Sequence, residues 1–160
     1  SAGAGLAAAL ALLARDRGGI RPVFQLLVYP MLDDRTVLRE VDERSLRLWN
    51  QRSNRFGWRS YVGPAAGSDG VPALAARARH PDLAGLPPAW IGVGTNDLFH
   101  DEDVAYAKRL ADAGVECALE VVPGAYHGFE GREPRAQVSR DFVNSQLVAL
   151  RRGLAARTLR

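Results

Sequence analysis

Cysteine is almost absent from this 160-residue chain: Cys117 stands alone, so no disulfide can form within it and no cysteine cluster can hold zinc. One cysteine fits a reducing compartment, and a cytoplasmic location is the expectation. Lysine is equally scarce. Lys108 is the only one, and the arginines that supply the remaining positive charge are scattered among acids, leaving a formal net charge of +3. No basic run interleaved with aromatics is present, which argues against a nucleic-acid surface. Long apolar runs are missing as well. Ala7 to Ala14 is the most apolar stretch near the start, too short to span a bilayer and without the charged leader of a signal peptide. Internal repeats and low-complexity linkers are also lacking.

What is present is an alternation of helix and strand signals. Residues 3–17 read as a helix, with Leu6, Leu10 and Leu13 on one stripe and alanines filling most other positions, a pattern expected to be buried on most sides. Residues 23–29 form a continuous β-prone run, as in a strand covered on both faces of a parallel sheet. Residues 31–86 hold Trp49, Phe56, Trp58 and Tyr61 among Gly/Pro punctuation, with short helices expected at 45–50 and 54–62. So long an excursion between strands suggests an inserted lid, its aromatics serving either as plain core or as part of the lid's contact surface.

Residues 89–94 give a second buried strand, and residues 101–113 a helix for which Asp101 is the natural N-cap, with Glu102 and Asp103 favoured by the helix dipole. Residues 115–122 alternate, placing Val115, Cys117, Leu119 and Val121 on one face of a strand near a sheet edge, with Cys117 a small buried hydrophobe. Pro123-Gly124 is expected to turn the chain. Residues 134–152 close it as a helix with Val143, Leu147, Leu150 and Leu154 on one stripe. The order implies an α/β fold: a parallel sheet with helices on both faces.

In such sheets, chemistry gathers at the carboxyl ends of the strands. Asp97 follows the second strand, His127 follows the third within a glycine-rich loop, and Ser1 precedes the first helix where a strand-to-helix turn would sit. The order serine, acid, histidine is the one used by α/β-hydrolases. Ser1-Ala2-Gly3 reads as the second half of a G-x-S-x-G elbow. The Ala2 amide, at a helix N-terminus, is placed to donate to an oxyanion. Among neighbouring acids, Asp101 is explained by capping and Glu102 and Asp103 by the dipole, whereas Asp97 has no such duty. His80 and His100 have ordinary loop and helix-end explanations.

Ser1-Ala2-Gly3 with Leu6-Ala7, Leu86-Pro87-Pro88-Ala89, Gly94 through Asp97, Asp101-Glu102, and Gly124 through His127-Gly128-Phe129 together resemble the hormone-sensitive-lipase-like esterases, the α/β-hydrolase fold-3 group. The resemblance implies the C-terminal half of an α/β-hydrolase, with core residues 1–33 and 87–160 and a cap over residues 34–86. It implies Ser1 as nucleophile, Asp97 as acid, His127 as base and Ala2 in the oxyanion hole, with the Ser1 hydroxyl bonded to the imidazole. It further implies a carboxylester hydrolase acting on short-to-medium acyl esters, without metal or organic cofactor. Expected partners are a small-molecule ester and the upstream half of the same protein, with a homodimer left open. Gibberellin receptors share the fold but lack the histidine, so the presence of His127 favours an enzyme over a binding protein.

Overall fold

A computed structural model describes residues 1–155; the end of the expected core range, residues 156–160, lies outside the described residues. Three parallel strands form one sheet in the order β1-β2-β3: β1 is Gln25–Val28, β2 Ala89–Asn96 and β3 Cys117–Tyr126. Leu27 pairs with Ile91, and Ile91 with Leu119. Alternation along β1 and β2 sends side chains to opposite faces. On one face Leu27 and Ile91 pack against Ala8, Ala11 and Leu12 of α1 (Ala2–Arg17) and against Tyr106, Ala107 and Leu110 of the helix His100–Asp112. On the other, Leu26, Val28 and Trp90 meet Phe129 and Phe142, which belong to the short helix Phe129–Arg132 and the closing helix Gln137–Ala155. The two-faced sheet expected from the sequence is therefore present.

A third apolar cluster joins the segment between β1 and β2 to the residues just after β2: Met31, Trp58, Val71, Ala76, Leu98 and Phe99 are buried together. Its helix, α2 (Gln51–Val62), begins with an N-cap: the Asn50 side chain accepts from the Ser53 amide. We number the remaining α-helices α3 (His100–Asp112), α4 (Phe129–Arg132) and α5 (Gln137–Ala155).

Several local expectations are corrected. Residues 45–50 are not helical; a 3₁₀ turn at Asp34–Leu38 precedes α2 instead. Pro123-Gly124 does not end the third strand, which continues to Tyr126. As an edge strand, β3 tolerates a residue with no N–H. Among the described residues, Leu6 and Leu10 of α1 are 52% and 61% exposed, while Gly5, Ala8, Ala11 and Leu12 are buried. Small residues win because the helix runs very close to the chain leaving β1. A methyl group on Gly5 would stand 2.3 Å from the Met31 carbonyl oxygen. Likewise α5 buries Ser139 and Phe142, leaving Val143, Leu147 and Leu154 exposed.

Candidate active site

Two strand ends build the site. A register shift between Gly94 and Asn96 lets β2 and β3 converge there. Gly94 makes this closeness feasible, since a Cβ at that position would lie 2.1 Å from the Ala125 carbonyl oxygen. The junction is laced by side chains of β2: the Thr95 hydroxyl accepts from the Gly124 amide at 2.8 Å, and the Asn96 amide donates to the Gly124 carbonyl at 3.2 Å. Asp97 and His127 leave these clamped ends side by side. Gly128, in the left-handed region at φ 70°, then redirects the chain into α4.

The imidazole Nδ1 of His127 meets the Asp97 Oδ2 at 2.8 Å, with the carboxylate side chain fully buried and the ring nearly so. An ionised carboxylate only accepts, so Nδ1 carries the proton and Nε2 is left as the basic nitrogen when the ring is neutral. The second carboxylate oxygen, Oδ1, accepts from the Phe99 amide at 3.0 Å, which fixes the plane of the carboxylate. This corrects one step of the sequence argument: Asp97 does have a backbone duty at the start of α3, while Asp101 makes no cap. The N-cap position is Phe99, with no side-chain capping bond.

Aromatic rings hold the imidazole in place. Tyr29 lies 4.4 Å away between centroids, Phe99 5.4 Å in an edge-on arrangement, and Trp49 5.8 Å. Tyr29, at the end of β1, adopts φ 34°, unusual for a residue with a side chain. Its hydroxyl donates to the Glu130 carboxylate, and burial, reinforced by that carboxylate, pushes its pKa up.

Ser1 precedes the first turn of α1. Its carbonyl accepts from the amides of Gly5 and Met31, tying it to the chain leaving β1. The expected hydrogen bond between the Ser1 hydroxyl and His127 is not formed: no such bond occurs among the described residues. Catalytic hydrogen bonds commonly tighten only when substrate binds. Gly3, the small residue of the elbow reading, faces open space among the described residues, and Gly5 makes the close approach instead.

Glu102 and Asp103 stand in the first turn of α3, as expected, but both are buried. Glu102 is buried, and its Oε1 accepts from the amides of Leu32 and Asp33 at 2.7 and 3.1 Å, holding the segment after β1 against α3. Burial pushes its pKa up to about 8. Asp103 is fully buried, with no hydrogen-bond partner for its carboxyl group among the described residues, and burial, then the charges of Glu102 and Asp97, raise its pKa well above the usual range. Sequence spacing placed both in the first turn of α3, but it carried no signal of the loop that covers them. Among the described residues, no group of three or more His, Cys, Asp or Glu side chains is arranged to hold a metal ion, and no helix is long and apolar enough to cross a membrane.

Comparisons with known proteins bear on the family and the fold. A family model described as the alpha/beta hydrolase fold matches residues 1–131. Among curated proteins, the chain is 34% identical to esterase LipI of Mycobacterium tuberculosis, over 94% of this chain and 47% of that protein. It is 33% identical to carboxylesterase NlhH of the same organism, over 98% of this chain and 50% of that protein. Among solved structures, a bacterial heroin esterase superposes with a TM-score of 0.84 at 38% identity, covering 96% of this chain and 50% of that one. Esterase LipW from Mycobacterium marinum superposes with a TM-score of 0.83 at 35% identity, over 96% and 48% of the two chains. The chain thus spans about half the length of the relatives it matches.

Proposed function

We propose that this chain, which belongs to the hormone-sensitive-lipase-like group of the α/β-hydrolase fold, carries the serine, acid and base of a carboxylester hydrolase. The observation that carries the reading is the 2.8 Å bond between His127 Nδ1 and the buried Asp97 carboxylate at adjacent strand ends, with Ser1 tied by its carbonyl to the chain leaving β1. In this reading residues 34–86 form a cap over core residues 1–33 and 87–160.

The chemistry is two-step acyl transfer. Nε2 of His127 takes the Ser1 hydroxyl proton as Oγ bonds to the ester carbonyl carbon. Asp97 holds the imidazole in the right tautomer and stabilises its cation without itself taking the proton. The negative charge moving onto the carbonyl oxygen is met by the Ala2 amide, the first of α1, and by the positive end of that helix. Further donors come from polypeptide outside this chain, the upstream half of the same protein. Collapse breaks the bond to the alcohol oxygen, which receives the proton from His127. Water then loses a proton to the same nitrogen and attacks the acyl-enzyme, releasing the acid and restoring Ser1. Substrates are short-to-medium acyl esters, because the cap limits the room above Ser1.

Steady-state hydrolysis of p-nitrophenyl butyrate by the full-length polypeptide tests this. Ser1→Ala and His127→Ala should each lower kcat by several orders of magnitude while leaving thermal unfolding little changed. Near-normal turnover by Ser1→Ala would overturn the assignment.

A further inference from the structure

Beside Ser1, between α1 and α2, lies a cavity of about 140 Å³ whose walls are Ala2, Leu6, Met31, Trp49, Trp58 and Tyr61. It adjoins the imidazole site through Trp49, which both lines it and packs against His127. One charged side chain shares this apolar wall. Arg77 is only 2% exposed, yet none of the ion pairs among the described residues involves it. Its guanidinium has neutral partners alone: Nη1 donates to the Ala75 carbonyl at 2.7 Å, Nη2 to the Tyr61 hydroxyl at 3.3 Å, the group lies 5.5 Å from the centre of the Tyr61 ring, and Nε has no hydrogen-bond partner among the described residues. Its neighbour in sequence, Arg79, shows the contrast, forking onto the buried Asp34 carboxylate at 2.7 and 2.9 Å.

A guanidinium withdrawn from water without an anion is costly, and the cost is offset when a carboxylate supplies the missing charge. The Tyr61 hydroxyl extends the reach of Arg77: it accepts from Nη2, so its own proton is free to be donated to a ligand in the cavity. Cavities of about 150 Å³ accept a benzene ring, so roughly six heavy atoms fit here. The leaving alcohol must face the imidazole that protonates it. The cavity is walled by residues of α1 and α2 together with Met31, Trp49 and Arg77; His127 touches its wall only through Trp49, and in this reading the cavity receives the acyl arm.

We propose that Arg77, acting with the Tyr61 hydroxyl, is a specificity determinant that selects esters whose short acyl chain ends in a carboxylate, the half-esters of small dicarboxylic acids. This rests on the hydrolase reading above and adds a substrate class to it.

The test compares ethyl hydrogen glutarate with ethyl pentanoate, followed in a pH-stat with the full-length polypeptide. The native protein should favour the glutarate half-ester in kcat/KM. Arg77→Met should lower kcat/KM for that substrate roughly 10–100-fold, the worth of hydrogen bonds to a charged group, and leave ethyl pentanoate little changed. Arg77→Lys keeps the charge but loses the fork, and should fall between them. Binding is read separately: quenching of Trp49 and Trp58 fluorescence in Ser1→Ala, titrated with the half-ester, should weaken at least tenfold when Arg77→Met is added. Equal losses on both esters, or unaltered binding of the half-ester in Arg77→Met, would overturn the proposal while leaving the hydrolase reading intact. If neither ester is hydrolysed by the native protein, the hydrolase reading fails, and the fluorescence titration still decides whether Arg77 binds the carboxylate.

Discussion

Replacing Gly94 by alanine should damage activity through backbone geometry, without touching a reacting group. The new methyl carbon would lie 2.1 Å from the Ala125 carbonyl oxygen and 2.5 Å from its carbon, both backbone atoms that no rotamer change can move aside. Ordinary contact begins at 3.4 Å, so the carboxyl ends of β2 and β3 must part by roughly 1.3 Å. Overpacking of this kind costs about 1–3 kcal/mol of stability. The displaced segments carry Asp97, three residues beyond Gly94, and His127, two beyond Ala125, so their 2.8 Å bond must stretch. Misplacement of catalytic groups by about 1 Å can cost on the order of 10²-fold in rate. We therefore expect Gly94→Ala in the full-length polypeptide to lose about two orders of magnitude in kcat toward p-nitrophenyl butyrate, with a lower urea midpoint. Gly131→Ala is the control, because a Cβ there meets nothing within 4 Å. It should stay within about 0.5 kcal/mol of the parent in stability and keep its activity. A Gly94→Ala protein with parental kcat would refute the idea that this close approach sets the acid–base geometry.

Asp97→Asn should cost about 10⁴-fold in kcat, because the amide can stabilise the wrong imidazole tautomer; steady-state kinetics check this, and a loss under tenfold would contradict it. Glu102 predicts a pH dependence of stability. Its folded pKa of about 8 exceeds its ordinary 4.5, so the folded state holds a proton that the unfolded chain has released over that window. Its contribution is complete below about pH 4.5 and is lost as pH rises toward 8, with the buried Asp103 acting in the same direction. Urea unfolding at pH 5 and pH 8 should show the decline, and Glu102→Gln, uncharged but still an acceptor for the amides of Leu32 and Asp33, should lessen it.

Much of the architecture was legible because apolar patterning reports burial directly. The runs around Leu26-Leu27 and Trp90-Ile91 became paired strands, and the placement of Asp97 and His127 after successive strands brought them into contact. What stayed hidden depended on distance rather than composition. The face of α1 that carries Gly5, Ala8 and Ala11 packs close to the chain leaving β1, where a Cβ on Gly5 would meet the Met31 carbonyl. Glu102 looked like a surface acid, because nothing in its own helix reveals the two amides that descend on it from the chain after β1. The cap role was assigned to Asp101 because aspartate suits that position, but Asp97 takes the Phe99 amide with one oxygen and the imidazole with the other. Arg77 carried no signal in its sequence neighbourhood. Its burial and the absence of an acid beside it among the described residues emerge only from the fold.

The claim that Ser1 is the nucleophile activated by His127 is tested most directly by covalent capture. The full-length polypeptide treated with a fluorophosphonate should gain one adduct, and peptide mapping by mass spectrometry should locate it on the Ser1 oxygen. Ser1→Ala should abolish the adduct and His127→Ala should slow its formation by orders of magnitude, since labelling needs the same proton removal as hydrolysis. An adduct on another residue, or full ester turnover by protein that resists labelling at Ser1, would contradict the account.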